Sequence, residues 1–251
     1  VMRRVLDYAR DLGLILVTHA EDAGLLGEAV ATNGETATRL GLPSAPAVAE
    51  ALAIARDVML AEDADAAIHI RQVTTAAGFD LVRAAKRREV KVTCGITPAH
   101  LMLSDNAMSD FRTFAHLSPP LRCEEDRRAA LAALADGTID VLSSGHDPRG
   151  PEEKRLPFVD SSPGASGAET LLAIALDRLF ALLACNPARV LGVDAGRLTP
   201  GAPGDVILID DQAPWLIDAE RMAGKAGNTP FDGLPVQGRV RRVFKGGREI
   251  G

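Results

Sequence analysis

A parallel α/β fold, either a barrel or a doubly wound sheet, is what this sequence predicts, and three observations predict it. Apolar runs of strand length alternate four times with stretches of helical periodicity. Each run ends in a cluster of polar residues, the position at which parallel sheets hold their ligands. From Gly196 onward, short alternating runs broken by Gly and Pro mark a small β module, too short for a core of its own and expected to pack on the first part.

The elements follow in order. Met2 to Leu12 has the spacing of an amphipathic helix, and "LILVTHA" from Leu14 is a compact strand with His19 at its carboxyl end. A long helix is expected from about Ala47 to Asp63. The second strand, "AAIHIRQV", ends in a polar cluster before the helical "AGFDLVRAAKRR". The third, "KVTCGI" from Lys91, leads through "TPAHLMLSD" to the helix "EEDRRAALAALADG", which Gly137 stops, and then to a fourth strand from Ile139 to Leu142. "GAETLLAIALDRLFALLACNPARVLG" reads as a helix pair, after which "GRLTPGAPGDVILIDD" and "QGRVRRVFKGGREI" supply the β module. No linker or low-complexity segment intervenes, so the expected units are residues 1–195 and a small β-sandwich-like domain at 196–251.

Composition narrows the function. With 251 residues, 47% hydrophobic and 25% charged, the chain has material for a substantial core. A net charge of −6 and the lack of a basic run with interleaved aromatics argue against nucleic acid, leaving a small molecule or another protein as partner. No apolar run approaches the ~20 residues of a membrane span, and the opening "VMRRVLDYARDLG" is not a signal-peptide pattern, so a cytoplasmic protein is expected. Cys94, Cys123 and Cys185 are odd in number and lack CxxC spacing, which fits reduced thiols. The first residue is Val1 and the chain opens inside a helical pattern, which suggests a fragment.

Four histidines stand out by position. His19 at a strand end reads equally as a metal ligand or as a histidine bonded to a neighbouring loop. His69, inside an apolar strand, and His100, after a proline, read first as packed residues. His146 begins the loop "SGHDPRGPEEKRLPF", where a strand runs directly into acidic and basic side chains. Converging strand-end histidines could hold a cation that acidifies a bound water and polarises a carbonyl. No HxH, HExxH, GxSxG, GxGxxG or phosphate-loop motif occurs.

The series "THAED", "GETATRLGLPSAPAVAEALAIARD", "HIRQVTTAAGFDLVRAAK", "VTCGITPAHLMLSD", "LSPPLR", "ALADGTIDVLSSGHDPRGPEEKRLPF", "NPARVLG" and "NTPFDGLPVQGRV" resembles the dihydroorotases of the amidohydrolase superfamily, in the same order and over nearly the whole chain. The resemblance implies the carboxyl-terminal half of a (β/α)₈ TIM barrel, strands five to eight, plus a small β domain. Four strands cannot close a barrel, so a longer protein is expected whose other half would bring an HxH metal pair, a substrate arginine and a metal bridge. It further implies zinc, pyrimidine biosynthesis by reversible cyclisation of N-carbamoyl-aspartate to dihydroorotate, and a homo-oligomer. Allantoinases and hydantoinases share the architecture.

Residue by residue, His19 matches the family's metal histidine of the fifth strand. Gln72 in "QVTT" stands where the family has histidine, and a neutral amide is a poor zinc ligand. Gly145 in "SGHDPR" stands where the family's "TDHAPH" has the aspartate that serves as ligand and proton carrier. Arg149 replaces a substrate-contacting histidine and Ser118 an asparagine, which makes both candidate substrate contacts. Asp147 is a candidate substitute for the lost base, and Arg149 a candidate holder of a carboxylate. The segment before "NPARVLG" is too short for two helices joined by the family's polar loop. The resemblance thus leaves two readings: a cyclic amidohydrolase with one weakly bound zinc or none, or a non-catalytic homologue serving as structural partner of aspartate carbamoyltransferase.

Overall fold

The computed structural model describes residues 1–174 and 180–250. Four short strands, β1 (Leu16–Thr18), β4 (Ile68–Ile70), β5 (Val92–Ile96) and β6 (Val141–Leu142), form one parallel sheet in the order β1-β4-β5-β6. Leu16 pairs with Ile68, Ile68 with Val92, and Gly95 with Val141, so neighbours in space are neighbours in the strand–helix series. The result is half of a (β/α)₈ barrel, with every strand's carboxyl end on one side.

The period-2 pattern decides which face each residue takes. Ile68, Ile70, Cys94 and Ile96 enter the main core with Ile54, Val58, Phe79, Val82 and Ala130 from the covering helices, and the intervening His69 and Thr93 take the other face, where His69 Nδ1 lies 2.8 Å from Thr93 Oγ1. The covering helices are α1 (Met2–Asp11), α4 (Val48–Ala64), α5 (Ala76–Arg87) and α7 (Glu124–Ala135), and the short α6 (Pro98–Met102) and α8 (Pro151–Lys154) follow β5 and β6. Thr75 caps α5 by accepting from Gly78 N–H at 3.1 Å. At Gly78 an added Cβ would lie 2.8 Å from Glu50 Oε1 and 2.9 Å from Ile54 Cδ1, so glycine here lets α5 close on α4.

The fourth strand is shorter than the expected Ile139 to Leu142. Asp140 still donates its backbone N–H to the Cys94 carbonyl at 2.9 Å, but its carboxylate takes the Cys94 N–H at 2.8 Å and the Lys86 ammonium at 2.8 Å and its carbonyl accepts from Asn186, so the regular ladder register begins at Val141. Between β1 and α4 the chain forms α2 (Ala23–Leu26), then a two-stranded parallel pair, β2 (Ala31–Thr32) and β3 (Ser44–Ala45), joined through α3 (Glu35–Leu40). Ala31 of β2 and Ala37 of α3, with Val30 and Leu42, pack in a second core with Leu117, Leu121, Phe158, Ile217 and Phe231, which ties the loops beyond the sheet to the 217–231 segment.

Of the expected helix pair, α9 (Leu171–Ile174) and α10 (Asn186–Leu191) are seen, with a π-helical turn at Ala181–Cys185; the intervening stretch of the proposed shortening, 175–179, lies outside the described residues. The tail forms one antiparallel sheet of β7 (Val206–Leu216), β8 (Pro235–Lys245) and β9 (Arg248–Glu249). Gly246 and Gly247, at φ +57° and +77°, make the tight turn between the last two strands. No described helix is long and apolar enough to cross a membrane.

Candidate functional site

A cavity of about 440 Å³ opens at the carboxyl ends of the parallel strands. Its wall takes Arg71 and Gln72 from the end of β4, Thr97 and His100 from the end of β5, Ser118 from the loop before α7, and Ser143 to Asp147 from the end of β6. Here strand ends deliver polar side chains to one pocket, as the chain's repeated polar clusters predict.

His19, at the end of β1, is held from both sides. Arg71 Nη2 lies 3.2 Å from His19 Nδ1, and a guanidinium can only donate, so Nδ1 accepts and Nε2 carries the proton. That Nε2–H donates to Glu21 Oε2 at 3.0 Å. The same Arg71 nitrogen donates to Gln72 Oε1 at 3.4 Å, and Gln72 is buried. Gly145 sits at φ +59°, and a Cβ built there would meet Thr97 Cγ2 at 2.8 Å. Glycine at this place is therefore seated as well as substituted.

Asp147 lines the cavity, but its carboxylate accepts from Arg149 Nη2 at 2.8 Å. Arg149 is absent from the cavity wall. Its Nε donates to the Pro163 carbonyl at 2.7 Å and its backbone N–H to Asn228 Oδ1 at 3.1 Å, so the guanidinium braces the loop and is not presented to the cavity. Arg149 was expected as a carboxylate holder; in this structure its side chain is used in these loop contacts. Ser118 lies on the wall. His146 is exposed and its Nδ1 accepts from Ala168 N–H at 3.3 Å.

His100 forms part of the buried wall. Its Nε2 donates to the Pro119 carbonyl at 3.0 Å and its Nδ1 lies 2.7 Å from Thr97 Oγ1; burial pushes it down to about 4, so it stays neutral near pH 7. Both nitrogens are engaged, which leaves it no role as a proton carrier. His69 is also lowered by burial. His116, stacked on Phe158 with ring centroids 4.9 Å apart, falls to about 4 through burial and the nearby Lys154 charge.

Sequence reasoning passed over the group that shapes the pocket. Arg122, buried, donates from Nη2 to Glu50 Oε2 at 3.2 Å, from Nε to Thr74 Oγ1 at 2.9 Å and from Nη1 to Thr32 Oγ1 at 3.0 Å, with Glu21 Oε1 at 3.5 Å. Glu50 accepts the Thr74 and Thr75 N–H groups, each at 2.9 Å, and both hydroxyls. One carboxylate on α4 thus fixes the loop that follows Gln72, and one guanidinium ties that loop to Glu21 beside His19. The signal was available: Glu50 falls in register with Ile54, Val58 and Ala61 on the buried face of α4.

Among the described residues no group of three or more His, Cys, Asp or Glu converges as a metal set would. His19 presents an N–H to Glu21 and a lone pair already taken by a cationic donor. Gln72 is neutral, and Gly145 has no side chain. These residues do not fit a divalent cation.

The family model described as "Amidohydrolase family" matches residues 1–250. A protein named dihydroorotase from Geobacter metallireducens is 40% identical over 260 residues, covering 100% of this chain and 61% of that protein. One of the same name from Geobacter sp. strain M21 is 42% identical, covering 98% and 60%. Among solved structures, the L-hydantoinase (dihydropyrimidinase) of Arthrobacter aurescens superposes with a TM-score of 0.89 at 23% identity, over 100% of this chain and 60% of that one. A D-hydantoinase from Thermus sp. gives 0.84 at 22% identity, over 99% and 59%. At such identities these two structures speak for the fold alone. The chain spans about 60% of the length of the curated relatives it matches.

Proposed function

Because this chain belongs to the amidohydrolase family, we propose that it is part of a dihydroorotase-like cyclic amidohydrolase of pyrimidine biosynthesis whose hydrolytic site has decayed. The frame supports the first half of that statement: the strand-end cavity and the relatives named dihydroorotase at about 40% identity. The second half rests on one observation, the glycine at the end of β6. Gly145 offers neither ligand nor proton carrier where the family places an aspartate, and its neighbours do not replace it. Asp147 is paired to Arg149, and His100 has both nitrogens engaged. A lost acid/base is worth roughly 10² to 10⁴ in rate. Lost stabilisation of a developing oxyanion removes more.

On this reading zinc is held weakly, at most one ion, or not at all. The same observation favours a second role, a non-catalytic homologue that acts as a structural partner of aspartate carbamoyltransferase. Residues 1–195 form the barrel portion and 196–251 the small β domain, in a cytoplasmic homo-oligomer that binds neither nucleic acid nor membrane.

The test is dihydroorotate hydrolysis by the full-length protein beside its Gly145→Asp, Gln72→His double variant. Little or no turnover in the unmodified protein, with activity gained in the variant, is expected. Robust turnover that Asp147→Ala abolishes would instead identify a relocated base and overturn the decayed-site reading.

A further inference from the structure

We propose that Arg71 takes the place of the metal and makes the cavity a metal-independent site for a small carboxylate ligand. This deepens the reading of the strand-end cavity as the family's site but does not depend on which cyclic amide, if any, is turned over.

Arg71 follows β4 directly, and its backbone N–H donates to the Thr18 carbonyl at 2.8 Å, which locks the residue to the end of β1. Its side chain is then oriented by two acceptors, His19 Nδ1 at 3.2 Å and Gln72 Oε1 at 3.4 Å. Both contacts use Nη2. Of the five N–H donors of a guanidinium, the three on Nη1 and Nε are left over, and no carboxylate pairs with Arg71 among the described residues. Arg71 is also the one Lys or Arg on the described cavity wall, and the wall's acidic residue, Asp147, is already paired to Arg149. Arg71 is solvent-exposed at the mouth of the pocket, oriented by these contacts and without a carboxylate partner, and the planar fork of such a guanidinium matches two carboxylate oxygens.

The departures from the family then make one set. A guanidinium 3.2 Å from the imidazole nitrogen repels a divalent cation from the same position. Gln72, a poor zinc ligand, is a suitable acceptor for Arg71. Gly145 contributes no carboxylate to compete with an anionic ligand. The hydroxyls of Ser118 and Ser144 on the same wall offer further donors. A volume of about 440 Å³ suits a molecule the size of a small dicarboxylate or a carboxylated ring.

The experiment is calorimetric titration of the full-length protein with dihydroorotate and, separately, with succinate, each with and without a chelator, alongside zinc analysis of the same preparation. The expected result is binding of at least one probe with an affinity the chelator leaves unchanged, substoichiometric zinc, and at least a tenfold loss of affinity in Arg71→Met with partial retention in Arg71→Lys. Arg71→Gln replaces Arg71→Met if the latter does not fold by circular dichroism. Binding of succinate without dihydroorotate would support this proposal while counting against the dihydroorotase-like reading. Stoichiometric zinc that survives the chelator, binding that the chelator abolishes, wild-type affinity in the neutral variant, or no binding of either probe would each overturn it.

Discussion

Replacing Arg122 by methionine, which keeps the length of the side chain and removes its charge and donors, should unfold this protein at a markedly lower temperature. In the native structure its guanidinium lies 3.2 Å from Glu50 and 3.5 Å from Glu21, and all three side chains are no more than 5% exposed. Arg122→Met leaves two carboxylates facing each other in a closed space. Breaking such a buried pair by removing one partner costs about 3–5 kcal/mol. Thr32 and Thr74 lose a donor to their oxygens but still donate to the Leu121 carbonyl and to Glu50, so they add little. At about 2–4 °C per kcal/mol for a domain of this size, the melting temperature should fall by about 6–20 °C. The measurement is thermal unfolding of the full-length protein by circular dichroism, with Glu50→Gln and the double variant completing a cycle. Coupling of at least about 1 kcal/mol is expected, because neutralising Glu50 removes part of the repulsion. A loss below about 1 kcal/mol for Arg122→Met, or strict additivity, would refute the assignment of this network as a structural keystone.

Gly145→Asp alone should cost about 1–2 kcal/mol in denaturant midpoints, from the left-handed backbone and the contact with Thr97. Adding Thr97→Ser, which keeps the hydroxyl beside His100 and deletes Cγ2, should recover part of it; a neutral Gly145→Asp would show the steric account to be wrong. His100 and His116 both titrate near pH 4 in the fold against 6.5 unfolded, so the unfolded chain binds more protons between those values. Stability should therefore be intact above pH 6.5 and fall as pH drops toward 4, with about 3 kcal/mol at stake for the fully buried His100 and less for His116. His100→Asn should flatten that part of the profile, and an unchanged acid limb would count against it. Lys154 is pushed down to about 8 by burial and the nearby Arg149, and its ammonium holds the Thr113 and His116 carbonyls. Its unfolded form binds the extra proton between pH 8 and 10.5, so stability should rise across that window and cease to do so in Lys154→Met.

What could be read from the chain depended on whether a residue's neighbours are near it in sequence. The strands were visible because Ile68, Ile70, Cys94 and Ile96 alternate with residues on the opposite face, and α5 because Phe79, Val82 and Ala85 recur at helical spacing. The strand-end positions of His19, Gln72 and Gly145 followed from the family's order of motifs. The loop contacts of Arg149 did not, since beside the local Asp147 its partners Pro163 and Asn228 lie 14 and 79 positions away, where nothing in the sequence announces them. Arg71 escaped notice for a similar reason: beside a glutamine in "IRQV" it is one exposed charge among many, and only the sheet brings it to His19, 52 positions earlier. Arg122 was hidden by its own chemistry, because a charged residue in a loop reads as solvated unless a buried counter-charge is known, and the register of Glu50 on the buried face of α4 was the one clue to it.

The close fit of Gly78 beneath Glu50 bears on how such a site can change over generations. Any side chain at Gly78 collides with Glu50, and any loss of Glu50 strands Arg122 and releases the Thr74–Thr75 loop, so these positions constrain one another and a single replacement is penalised at once. Gln72 and Gly145 stand outside that interlocked set. A lineage could therefore exchange the residues that perform chemistry, one at a time and without losing the fold, while selection against unfolding alone preserved the scaffold around them.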